Sequence, residues 1–219
     1  MRFSTLSLLV TAASAAFSFA APLTTASSAL EARGQCYDIQ CIISGVTTSL
    51  TPLIEELSQL ARGLLAYITT ENCTVADLTP IVYDIKVVLT GAIKDVESLT
   101  GVALITVLTT VEGVVLTVSD VAQLVFGLLT LIFGGLSAVL KVAYNLDANV
   151  IIPLLAEVAE LVATLLQLIL QLVDGLLACL LPFLGSILTI IISLGISDEY
   201  SFLNISVSSV VATATGYAS

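Results

Sequence analysis

Residues 121–140, VAQLVFGLLTLIFGGLSAVL, carry no charge over twenty positions and lie between Asp120 and Lys141. A helix of that length reaches about 30 Å, the thickness of a bilayer's hydrocarbon core. The few polar and small residues decide where such a helix can go. Asp120, Gln123, Gly127, Thr130, Gly134, Ser137 and Lys141 recur alternately three and four apart. A second series, Glu157, Glu160, Thr164, Gln167, Gln171 and Asp174, does the same after Pro153. At about 100° per residue each series falls in one wedge roughly 100° wide. An ordinary surface helix has an apolar stripe of about that width and is polar elsewhere. These two are inverted, a narrow polar ribbon on a largely apolar cylinder.

Three arrangements could hide such a surface. In a membrane bundle the ribbons face one another and the apolar faces meet lipid. In a soluble bundle the ribbons face water and residues 36–100 cover the apolar faces. In a surface-active protein those faces are partly open and meet air, wax or lipid. The membrane arrangement has specific difficulties. Only residues 161–173 separate Glu160 from Asp174, short of the ~17–25 needed to span. Residues 175–197 contain Pro182, and Lys141 is the only base after Lys94 to set a topology. The alternation of period two that marks strands is absent, so the sequence predicts an all-α bundle of about five to seven helices. The 121–143 and 153–174 helices are expected to be the most buried. Gly127 and Gly134 are the candidates for close helix approach.

The chain opens MRFSTLSLLVTAASAAFSFA: a basic Arg2, an apolar run, and Ser18-Phe19-Ala20, a small-x-small pattern. This reads as a secretory signal, residues 1–20, cleaved after Ala20. Residues 21–33 end in Leu-Glu-Ala-Arg and read either as a propeptide cut after Arg33 by a kexin-type protease or as an unstructured tail. The export route is oxidising, so Cys36, Cys41, Cys73 and Cys179 are expected to form two disulfides. Cys36 and Cys41 stand close together before the first long helix. Each is therefore expected to reach a distant partner, with one bridge tying Cys179 to the N-terminal region. Asn72 and Asn204 begin glycosylation sequons, and the first has Cys73 at its centre.

Beyond Arg33, four Lys and Arg face sixteen Asp and Glu, a net charge of −12. Clustered bases are missing, which excludes nucleic-acid binding and disfavours docking on anionic lipid. A hydrophobic content of 58% excludes disorder. Residues 34–197 form one expected helical domain, more polar over 34–100 and strongly hydrophobic over 101–197, followed by a loose tail at 198–219. Thr51-Pro52 signals a helix start, and Asp77 or Thr79 with Pro80 signals another. The second helix carries a face of Ile81, Ile85, Val88, Ala92 and Val96. Breaks are expected at Gly101, near Asn145 to Asn149, with Asn149 capping a helix that has Pro153 in its first turn, and at Leu181-Pro182.

The chain has no histidine, so Ser-His-Asp and Cys-His sites are excluded. No Cys-x-x-Cys pair offers zinc spacing. No metal or cofactor is expected, and Glu157 with Glu160 reads as two solvated acids. Asp84 with Lys86 and Lys94 with Glu97 read as surface charges. The sequence thus points away from an enzyme.

The signal, the Leu-Glu-Ala-Arg end at 30–33 and the half-and-half hydrophobicity resemble small secreted fungal wall proteins that act beside hydrophobins. They are also similar to fungal hydrophobic-surface-binding proteins. Hydrophobins themselves have eight cysteines with adjacent pairs, and this chain has four and no doublet. The resemblance implies a structural role in hyphal surface coating, emergence into air or attachment, with hydrophobic surfaces, wall components or lipid as partners. Apolar faces too wide for residues 36–100 to cover are expected to adsorb at an interface or else to self-associate. Leu128, Leu131 and Leu168 represent the apolar faces expected to meet an interface. A helical carrier of sterol or acyl lipid and a small membrane protein are the competing readings.

Overall fold

The computed structural model describes residues 36–66, 75–143 and 148–203. Ala20, Arg33, Asn72, Cys73 and Asn204 lie outside them. The described residues form seven α-helices: α1 Ile39–Ala66, α2 Val75–Ser98, α3 Leu104–Leu108, α4 Val118–Ala143, α5 Ala148–Leu172, α6 Leu176–Leu180 and α7 Gly185–Leu194. Turns of 3-10 helix follow at Leu181–Phe183 and Ser201–Leu203. The only β pairing among the described residues is an isolated antiparallel bridge between Thr109 and Val115.

The helix starts differ from the sequence signals, and side chains explain why. Asp38 caps α1, its Oδ1 accepting the Cys41 amide at 2.8 Å. Pro52 therefore lies inside α1 rather than in its first turn. Thr51 does not cap; its hydroxyl donates back to the Thr47 carbonyl at 2.7 Å. Thr47, Thr48 and Ser49 do likewise to Ile43, Ser44 and Gly45. Such back-bonding is the mid-helix habit of hydroxyl residues. Pro80 and Pro153 are also internal, since α2 begins at Val75 and α5 at Ala148. Asn149 is likewise inside α5 rather than its cap, and residues 144–147 lie outside the described residues. The other two expected breaks fall where they should. Gly101 has φ +87° after α2, and Leu181–Phe183 is the turn between α6 and α7. The α4 start carries a reciprocal cap missed in the sequence. The Thr117 hydroxyl and amide donate to Asp120 Oδ2, and the Asp120 amide donates to Thr117 Oγ1.

Four long helices form the core as two helical hairpins. α1 packs on α2 and α4 on α5; between hairpins, α1 lies against α4 and α2 against α5. Along the α1–α4 seam Ile43 faces Leu124 and Leu128, and further on Ile54 meets Gly135, so these two run in the same direction. Residues 99–117 make the connection from α2 to α4, between helices that are not packed neighbours in the core. α6 and α7 close over α4, with α7 also touching α5.

The ribbons resolve which way the inverted helices face. Gln123, Thr130, Gly134 and Lys141 on α4 are exposed, as are Glu157, Glu160, Thr164, Gln167 and Gln171 on α5. The opposite faces are core: α4 buries 13 of its 26 residues and α5 nine of its 25. α4 is thus the most buried of the long helices, while α5 buries about the same share as α2. On α2 the face Ile81, Ile85, Val88, Ala92 and Val96 is buried as its spacing predicts.

The packed chain continues past residue 197, so 198–203 is not loose. Tyr200 and Leu203 are buried. The Tyr200 hydroxyl donates to the Ala159 carbonyl at 2.7 Å, and its ring stands edge-on to Phe133 at 6.3 Å. Burial, with the Glu199 charge second, pushes the Tyr200 phenol well above its ordinary range.

Candidate interaction surface

The exposed large apolar side chains concentrate in the connection between the two hairpins. Six belong to one 14-residue stretch: Val102, Leu104, Ile105, Val111, Val114 and Val115. Val111 is 88% exposed and Ile105 59%. The stretch is ordered by its own backbone. α3 anchors it through buried Val107 and Leu108. A tight hairpin follows, with the Leu116 amide donating to the Leu108 carbonyl at 2.9 Å and the Thr110 amide to the Val114 carbonyl at 2.8 Å. Gly113, at φ +80°, turns the tip. Between this hairpin and the start of α1 lies a groove of about 440 Å³, lined by Asp38, Cys41, Ser44, Val111, Glu112 and Val114 among others.

A smaller apolar patch lies on the flank, where exposed Leu181 and Phe183 follow α6 and Phe183 packs on Phe126 with ring centroids 5.0 Å apart.

The residues singled out in the sequence fall differently. Leu128 is 3% exposed and belongs to the core, while Leu131 and Leu168 are half-buried against it. The long helices were expected to outrun their cover; instead the two hairpins cover each other, and the open apolar side chains concentrate in the crossover. Cys36 and Cys41 are bonded to each other, Cα atoms 5.5 Å apart, so neither reaches a distant partner. One turn of chain at the head of α1 suffices to bring them together. Cys179 is unbonded and half-buried on α6, and does not tie to Cys36 or Cys41. Glu157 is held in an ion pair with Lys86 at 2.5 Å, bridging α5 to α2, and Lys86 does not pair with Asp84 as its surface partner. Gly127 and Gly134 have open space where a Cβ would stand. The close approach belongs to Gly135, whose Cβ would come 2.8 Å from Ile54 Cγ2.

Among the described residues Asp120 is the one acid with a resolved perturbation. Hydrogen bonds from the Thr117 side chain and then its backbone hold the Asp120 carboxyl below the usual carboxylate range.

By length and composition α4 and α5 could each cross a membrane; residues Leu176–Phe183 and Gly185–Leu194, bent by 80° at the break between them, make a third candidate only if the two pieces count as one broken span. α5 qualifies because it extends back to Ala148, beyond the 161–173 stretch that looked too short. What the fold defines is an all-α bundle with the polar ribbons of those helices turned outward. Compared with known protein families, curated proteins and solved structures, the chain matches none.

Proposed function

We propose that this chain is a secreted, non-enzymatic structural protein that attaches to hydrophobic surfaces at the fungal cell wall, using the 102–115 crossover as its contact. The carrying observation is the concentration of six exposed aliphatic side chains on a single stretch held by its own hydrogen bonds. Monomeric proteins rarely leave contiguous apolar area beyond a few hundred Å² without a use for it. Burial at an interface gains roughly 25 cal/mol per Å², so a patch of that order holds a protein at an apolar boundary for long times. The wall and fungal parts of the reading rest on the sequence resemblance, and the signal at 1–20 supports export.

The membrane reading retains one supporting observation, the length and composition of α4 and α5. The orientation of the ribbons argues against it, since insertion of this bundle would place Glu157, Glu160, Thr164 and Gln167 against acyl chains. Acidic residues at that depth cost about 2.5–3.5 kcal/mol each on insertion scales.

Fractionation of the native protein among medium, wall and membrane, followed by pendant-drop tensiometry of the purified chain, tests the proposal. Recovery without detergent and a lowered air–water surface tension are expected. Retention in the membrane fraction until detergent is added would overturn the reading.

A further inference from the structure

Resting on that reading, we infer that the 102–115 crossover docks the bundle onto an uncharged acyl-lipid surface of the triacylglycerol type and turns away anionic membranes. Three observations select this partner. The first is charge. Between Lys94 and Lys141 every charged side chain is acidic: Asp95, Glu97, Glu112 and Asp120. Glu112 stands exposed at the hairpin tip beside Val111, and Glu97 and Asp120 are exposed on the helices that enter and leave the crossover. A face with that distribution is repelled by anionic headgroups, which attract basic segments.

The second is side-chain type. All six exposed apolar residues are aliphatic, and the chain has no tryptophan. Tryptophan and tyrosine are the residues that settle at a headgroup layer. Their absence from the crossover fits an apolar phase without such a layer. The third is shape. The aliphatic groups come from three pieces of backbone: Val102 precedes the short helix, Leu104 and Ile105 lie on it, and Val111, Val114 and Val115 belong to the hairpin. A deformable acyl phase can admit a projecting tip such as Val111, whereas a rigid solid would touch only part of it. A second copy of the chain is a poor occupant. A two-fold contact pairs a surface with itself, which would bring two sets of Glu97, Glu112 and Asp120 to one interface with no Lys or Arg from the crossover between them.

The experiment is flotation of the full exported chain with triolein droplets, with phosphatidylcholine vesicles, and with vesicles containing phosphatidylserine. Binding to droplets is expected to exceed binding to either vesicle, with the serine lipid weakest. Replacing Ile105→Ser together with Val111→Ser, both exposed positions, is expected to reduce droplet binding by about tenfold or more while leaving the circular dichroism and melting temperature unchanged. Glu112→Lys is expected to keep droplet binding and to increase binding to the serine-containing vesicles. Undiminished droplet binding by the folded double variant would overturn the assignment of the surface. Equal binding to anionic vesicles would overturn the lipid class, and a concentration-dependent dimer abolished by the double variant would replace lipid with a second copy. A protein that lowers surface tension but ignores droplets would sink this inference alone. One that does neither would sink the proposed function with it.

Discussion

Alanine at three glycines of α4 should separate packing from helix propensity. Gly127, Gly134 and Gly135 share one helix, and an alanine at any of them gains about 1 kcal/mol of helix propensity. At Gly127 and Gly134 the new methyl meets nothing within 4 Å, so the gain should appear almost whole. At Gly135 it arrives 2.8 Å from Ile54 Cγ2 and 3.2 Å from Cδ1. Ile54 is buried, and its Cγ2 sits on the branched carbon rather than at a free end, so the side chain cannot swing aside cheaply. Overpacking of this kind costs about 1–3 kcal/mol. Gly135→Ala should therefore be neutral or destabilising, about 2 kcal/mol below Gly134→Ala. For a chain of this size that gap corresponds to roughly 4–8 °C in melting temperature. Urea denaturation followed by far-ultraviolet circular dichroism reads it directly. In a double-mutant cycle with Ile54→Ala, the added methyl should fill part of the vacated space, and the pair should be less destabilised than the sum of the single changes. If Gly135→Ala proved as stable as Gly134→Ala, the α1–α4 seam described above would be wrong.

The short disulfide should matter modestly. Replacing Cys36 and Cys41 by serine opens a loop of only a few residues, worth about 2 kcal/mol in the chain-entropy model against the 4–5 expected of a closure over 100 residues; a loss near the larger value in denaturant titration would contradict the local bond. Leu128→Gln should unfold the domain, as burying an unpaired amide in the core costs several kcal/mol, whereas Leu131→Gln and Leu168→Gln at half-buried positions should leave a folded, less stable protein by the same titration. The Asp120 carboxyl is held below its usual range in the folded chain, so its cap contributes stability above about pH 4 that is lost as pH falls through the lowered folded value. Asp120→Asn should accordingly flatten the acid limb of the stability profile, and an unchanged limb would show that the cap is not formed in solution.

How far the sequence carried depended on whether a residue's neighbours were local. The polar ribbons of α4 and α5 and the face of α2 are periodic over many turns, so their orientation was legible once water was taken to lie on the polar side. The glycines show where that logic stops. Gly127 and Gly134 stood out because they fall in the ribbon, but the ribbon faces solvent, so nothing approaches them. Gly135 lies about 100° round the helix, and only the position of α1 gives it meaning. The exposed crossover was hidden for another reason. Residues 102–115 are as apolar as the core helices, and a five-residue helix with a hairpin tip is too short to show a period. The cysteines could not be paired because four allow three connectivities, and the cap that folds Asp38 over Cys41 has no effect on composition.

The division into two hairpins also sets an order of events during synthesis. α1 and α2 need only each other to begin forming, while the contacts that seal the bundle are distant; Lys86 and Glu157 are 71 residues apart. The N-terminal part of a chain is made first. The more polar pair is therefore already in place, offering an apolar side, when the two nearly uncharged helices emerge. α1 and α2 act in effect as a cover made before its contents. A circular permutant that began at Val118 would reverse this, leaving α4 and α5 without that cover while more than sixty further residues were added. At ~5–20 residues per second that is several seconds of exposed apolar surface, long enough for aggregation to compete with folding.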